Sequence, residues 1–346
     1  MPAGLDDPAY TEPLLIHIAA LLHTVAAPAT PPPGPGHQHA ADDDSNAGQP
    51  GLPVRQALLK TLCERERTRW YQLGAQLSFN PDLPLADQVV ALATMSAAAD
   101  QPWATSLLAA VPNQAEVIRI GTEALAVWAH RLYPGPGYWN PLRPDLLAEQ
   151  HLADTAQLPA LAAAAAELAA GQQHEAALLT QLLAELTRGA PNQSALRAAL
   201  EELLATALPR IIQLAVTAAP AELADLASLA LQLAPQPGSA AQLADGMPEH
   251  SVRLAALAAI LTSQQVTQYR AGMAGREPDA ASRLAGSLNN LSVRLAELRR
   301  REEALAAIEE AVTVRRELAA RWPDVYQQEL EQSLQVVAWL ERSTDL

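Results

Sequence analysis

The chain has 346 residues, 49% hydrophobic and 18% charged, which is enough apolar material to bury a large core in two or three domains. A formal net charge of −15 and a pI near 4.9 argue against nucleic acid as a partner, because affinity for a phosphate backbone depends on clustered Lys and Arg. Aromatic residues make up only 4%, so the core must be built from Leu, Ala, Val and Ile. Ala and Leu are strong helix formers, and the expected fold is all-α.

Residues 1–26 are expected to form a helical remnant. Within them "PLLIHIAALLHTVAAPAT" (13–30) has the apolar run of a signal peptide, but Asp6, Asp7 and Glu12 stand where a positive region is needed, and His17 and His23 interrupt the run. It is also too short for a membrane span. With one cysteine, Cys63, no disulfide framework is implied, and a cytoplasmic location is expected with no membrane partner. Residues 27–53, "APATPPPGPGHQHAADDDSNAGQPGLP", are too poor in large apolar side chains to offset their ordering entropy and read as a linker. His37, His39 and Asp42 to Asp44 could chelate a metal there, but a solvated linker is the favoured reading.

Residues 54–150 read as a helical domain. Leu58, Leu62, Trp70, Leu73 and Leu77 lie at helical spacing in "RQALLKTLCERERTRWYQLGAQL", and the charges between them are expected to form a solvated face. Helices are then expected at 85–98, 102–110 and 114–132. The stretch "RLYPGPGYWNPLRPDLLAE" (131–149) ends one helix and opens another, with Pro144 in the first turn and Asp145 favouring the N-terminus. Gly137 to Leu142 should form a tight turn or short hairpin in which Tyr138 and Trp139 act as clamps. A catalytic reading would gather His130, Asp145 and His151, yet no Ser, Cys or Lys nucleophile accompanies them.

Residues 151–245 read as an Ala/Leu helical array with breaks at Gly171, Gly189 to Pro191, Pro209, Pro220 and "APQPG" (234–238). In 246–346 the pattern is more regular. Leu284, Leu288, Leu291, Leu295 and Leu298 form one stripe, and Ala304, Ile308, Ala311 and Leu318 another, which predicts two antiparallel helices. The stretch 287–324 resembles the tetratricopeptide repeat: Ala304 and Ala311 match its small positions, Leu288, Leu291, Leu295 and Ile308 its large apolar ones, and Arg299 stands where its inter-helix glycine belongs. Leu330, Ser333 and Leu334 repeat Leu284, Ser287 and Leu288 after 46 residues, and 250–270 resembles the second helix of a preceding repeat.

In order along the chain, "EPLLIHIAALL", "LCERERTRWY", "LYPGPGYWNPLRPDLLAE" and "MPEHSVRLAALAA" resemble the region that follows the nucleotide-binding domain in STAND-type NTPases of actinobacteria carrying tetratricopeptide repeats. The resemblance implies a winged-helix-like domain at 54–150 before the array. It also implies that 131–149 ends the winged helix, where relatives carry a Met-His-Asp-type motif. Pro144 stands at the His of that motif and only Asp145 remains, so a structural joint of Tyr138, Trp139 and Asp145 is expected rather than a nucleotide sensor. No G-x-x-x-x-G-K-[ST] occurs, and the sole lysine, Lys60, sits among no glycines. The expectation is therefore a non-enzymatic sensor without cofactor or metal, which binds a protein or peptide through its repeats and works with a P-loop NTPase module that is either encoded separately or missing from a truncated product. A free-standing tetratricopeptide scaffold and, from another class, a hydrolase are the alternatives.

Overall fold

The computed structural model describes residues 52–217, 221–248, 251–272 and 278–342. Among them are fifteen α-helices and no strand. They are α1 (Leu52–Gln76), α2 (Leu83–Ser96), α3 (Gln101–Leu107), α4 (Gln114–Ile120), α5 (Thr122–Leu132), α6 (Asp145–Asp154), α7 (Leu158–Leu168) and α8 (Glu175–Gly189). These are followed by α9 (Ser194–Thr217), α10 (Ala221–Leu233), α11 (Pro237–Ala244), α12 (Ala255–Gly272), α13 (Pro278–Glu297), α14 (Arg301–Arg321) and α15 (Pro323–Arg342). The fold is all-α, as the composition requires. The remnant at 1–26, the possible chelating residues of the linker and Pro220 lie outside the described residues. The linker's last two positions, 52 and 53, belong to α1.

Local chemistry sets several helix starts. Asp82 and Asp100 each accept a hydrogen bond from the backbone N–H three residues on, Leu85 and Trp103, at 2.9 Å, with a proline in the first turn that has no N–H to leave unpaired. The single helix expected over 114–132 is two helices. Gly121, at φ +98°, ends α4 by donating to the Val117 carbonyl at 2.8 Å and starts α5 by accepting from Leu125. Pro209, expected to end a helix, lies inside α9 instead. Leu204, Ala207, Leu208 and Ile211 are buried on both sides of it, and that continuous apolar face outweighs the one lost backbone bond.

The face that α1 buries is also displaced from expectation. Leu59, Cys63 and Trp70 are the buried residues, with Leu62, Leu73 and Leu77 at the margin of the stripe. The charges of α1 are not all solvated. The Arg67 guanidinium grips Asp87 of α2 through two bonds of 3.0 and 3.1 Å, and Arg69 donates to the Leu132 carbonyl at 2.6 Å.

One buried apolar cluster runs from Trp70 to Leu261, through α1 to the first half of α12. The expected division at 150/151 therefore falls inside α6, and 54–150 and 151–245 share a core. A second cluster joins Val266 at the far half of α12 to Leu284, Leu288, Ile308, Ala311 and Leu340 on α13, α14 and α15. Helix α12 thus has one end in each core. From α11 onward each helix packs on the next, so that α11/α12, α13/α14 and α15 form a row.

Candidate functional site

The two regions singled out by the sequence, 131–149 and the helix row, serve different ends in the structure. In the first, Trp139 is fully buried, its indole N–H donating to the Ala126 carbonyl at 3.1 Å and its backbone N–H to Ala98 at 2.9 Å. Tyr138 stacks on His130 with ring centroids 4.4 Å apart, and His130 Nδ1 lies 2.6 Å from the Tyr138 carbonyl. Asn140, which the sequence did not single out, organises the loop: its amide N–H donates to the Tyr133 and Gly137 carbonyls at 3.0 Å, and its carbonyl accepts from the Gly137 N–H. A Cβ at Gly135 would collide with that amide. Gly137 to Leu142 is a bent, irregular loop rather than a backbone-bonded tight turn or a hairpin: the Tyr138 and Trp139 N–H groups donate to the Ala99 and Ala98 carbonyls instead. Pro144 is the cap residue of α6 rather than part of its first turn, and Asp145 is exposed, paired with Arg143 and, at 3.7 Å, with Arg188.

His130, Asp145 and His151 do not share a partner. His151 is 1% exposed; its Nε2 lies 3.1 Å from the Asp87 carbonyl, so Nε2 carries the proton and Nδ1 is left without a hydrogen bond. The Trp70 ring packs edge-on against it at 5.1 Å. Burial, reinforced by the nearby Arg67 charge, lowers the His151 pKa to about 3. Burial also pushes the Cys63 thiol up to about 12, helped by Asp154, and raises the Asp87 carboxyl despite Arg67. Burial thus favours the neutral form of both side chains. Together with Tyr133, whose hydroxyl donates to Glu66 at 2.8 Å and accepts from the Trp70 indole at 2.7 Å, these groups lock α1, α2, α5 and α6 together. Arg67, Asp87 and His151 are far apart in sequence, and nothing in their spacing announces the cluster.

The helix row offers an open site. A groove of about 740 Å³ runs between α10, α12 and α14. Ile260, Leu288, Leu291, Leu295 and Ala307 form its apolar floor. Of the six residues expected to pack the repeat, Ala304, Ile308 and Ala311 are fully buried between helices, while Leu288, Leu291 and Leu295 both pack and line the groove. The rim is polar, and its charged residues are paired with one another. Arg270 forks onto Glu310 across the groove, and Arg300 holds Glu303 with bonds of 2.7 and 2.6 Å. Gln264 ties the wall together, donating to the Leu231 carbonyl at 3.0 Å and accepting from the Gln236 N–H at 2.9 Å.

The serines related by 46 residues behave alike. Ser287 and Ser333 are both buried and donate to a side-chain carbonyl of an earlier helix, Gln265 at 2.9 Å and Asn289 at 3.1 Å. Leu334 departs from the pattern: its counterpart Leu288 is covered by α14, whereas Leu334 is 39% exposed. Arg299, at the expected glycine position, has φ +59°, and the N–H groups of Arg299 and Arg300 close the end of α13 on the Ala296 and Leu295 carbonyls. Among the described residues, no helix is long and apolar enough to cross a membrane. The sequence matches no protein-family model and no curated protein, and the structure matches no solved one.

Proposed function

We propose that the chain is a non-enzymatic interaction module that binds a protein or peptide in the groove between α10, α12 and α14. The observation that carries this reading is an open apolar floor enclosed by a polar rim whose charges are already neutralised within the protein. Such a site can take apolar side chains without stranding a charge. Grooves lined by alternate helices of a stacked array are how repeat proteins present binding surfaces, and the tetratricopeptide-like pattern of Leu288, Leu291, Leu295, Ala304, Ile308 and Ala311 supports reading the row that way. In this proposal the helices of 54–150 couple occupancy of the groove to a P-loop NTPase module.

Panning a library of random 16-residue peptides on the full chain tests the reading. Ser263 and Ala306 are exposed and line the groove, so Ser263→Arg and Ala306→Arg should fill it at a cost within about 0.5 kcal/mol of stability. Enriched peptides should lose at least tenfold in affinity for both variants. Peptides that bind wild type and both variants equally would place the interaction surface elsewhere.

A further inference from the structure

The groove has short side chains on its walls. Ala259 and Ser263 stand one turn apart on α12, and Ala306 and Ala307 line the α14 side, above the floor of Leu288, Leu291 and Leu295. Walls of this kind let a backbone come close, as Ala304 and Ala311 already let α14 approach α13. On α12 the lining extends from Ala259 to Arg270, where Arg270 and Glu310 bridge the two walls. That length of helix rises about 16 Å, or about three turns. A guest helix of three turns would fill it with apolar side chains at i, i+4 and i+7. It would also satisfy its own backbone N–H and C=O groups, which an apolar floor cannot.

Charge decides which helix fits. The two arginines of the lining, Arg270 and Arg300, are committed to Glu310 and Glu303. Beside the lining, the exposed charges are acidic. Asp225 on α10 is in line with the exposed Leu229 and the lining residue Gln232, and on α14 Glu302 and Glu309 each precede a glutamate of the lining. Among the described residues none of these three acids has an ion-pair partner. Helix α10 carries no Lys or Arg, and α12 none but Arg270. Arg316, the first exposed basic residue after Glu309 on α14, lies beyond the Arg270–Glu310 bridge. With a formal net charge of −15 on the whole chain, an acidic guest is repelled at long range as well as at the lip, and a basic one is attracted at both.

We propose that the occupant of this groove is a basic amphipathic helix of a partner protein, with its apolar stripe on Leu288, Leu291 and Leu295 and its Lys or Arg flanks facing Asp225, Glu302 and Glu309. The inference rests on the reading of the groove as a binding site and adds the conformation and charge of its ligand.

Three synthetic 16-residue peptides test it on the full chain: one with Leu at i, i+4, i+7 and i+11 and Lys and Ala elsewhere, one with Glu in place of every Lys, and the Lys peptide with a central Pro. The Lys peptide should bind at least tenfold more tightly than the other two and gain helical circular dichroism on binding. Ser263→Trp and Ala306→Trp, which fill the groove without adding charge, should each lower its affinity at least tenfold. Glu302→Lys with Glu309→Lys should lower it at least fivefold and raise that of the Glu peptide. Equal binding of the Lys and Glu peptides, or of the Lys and Pro peptides, overturns the proposal. So does Lys-peptide binding that neither Trp substitution weakens, because it is then attraction to an acidic surface alone. The two readings fail separately: library peptides blocked by Ser263→Arg, with no preference for the Lys peptide, leave the groove as a site but remove the basic helix. Library peptides indifferent to Ser263→Arg, with the Lys peptide indifferent to both Trp substitutions, remove the groove itself.

Discussion

At the scale of single residues, the buried histidine carries a pH dependence. An unfolded chain protonates His151 near its ordinary value of about 6.5, whereas the folded protein holds it neutral down to about 3 because burial disfavours the cation. The unfolded state binds the extra proton first, so this contribution to stability is complete above pH 6.5 and is lost as pH falls, at up to about 1.4 kcal/mol per pH unit. Asp87 and Glu185 oppose it at lower pH, since burial raises both carboxyls and the folded protein then protonates first. Urea unfolding at pH 6.5 and 5 should therefore show a fall for wild type that His151→Gln, which keeps a donor for the Asp87 carbonyl, reduces or removes; an unaltered slope would assign the effect to another group. Arg299 is a second residue whose environment can be read directly. A non-glycine side chain in the left-handed region costs about 1–2 kcal/mol, partly returned by the smaller freedom of its unfolded state. Arg299→Gly should raise stability by about 0.5–1 kcal/mol, measured by thermal or denaturant unfolding.

At the scale of elements, α9 shows tertiary packing overruling propensity. Pro209 is exposed and sits in mid-helix, where its ring and missing N–H cost about 3 kcal/mol. Pro209→Ala should stabilise the protein by about 2 kcal/mol, a part of the gain being offset by the more flexible unfolded chain; destabilisation would mean that the proline ring contributes to the packing of α9. In the row, Ala304 and Ala311 are both fully buried between α13 and α14. Enlarging Ala311 to Leu should cost about 1–3 kcal/mol. Because that contact belongs to the second cluster, hydrogen exchange should rise in α13, α14, α15 and the far half of α12 while α1 to α8 keep their protection. A uniform rise, or none, would show that the two clusters are not energetically separable.

At the scale of the whole molecule, the reciprocal experiment probes the larger core. Trp139 is buried in a cluster extending from Trp70 to Leu261. Trp139→Ala should lower stability by about 3–5 kcal/mol. The loss of hydrogen-exchange protection should reach α9 and α10, beyond the limit at residue 150 that punctuation suggested, and leave α13 to α15 least affected. Confinement of the loss to residues 52–150 would restore that limit as a domain boundary. Helix α12 belongs to both clusters and also forms one wall of the groove.

Composition and periodicity by themselves determined the helical class, the positions of α13 and α14, and the burial of Leu288, Ala304, Ile308 and Ala311, because helix propensity and a 3.6-residue stripe are local properties. The turn at 299–301 was legible too, though the left-handed backbone of Arg299 was not. Only the tertiary structure decided that Gly121 divides a helix while Pro209 does not, since each outcome depends on the neighbours a helix face finds to bury against. It also decided that Arg67, Asp87 and His151 meet in the core and that Asn140 organises the loop beside Trp139. The groove belongs to the same group: its floor and rim come from residues spread between Leu231 and Glu310, brought together by how successive helices stack. Such stacking is set by close packing between side chains distant in sequence, which no single stretch specifies.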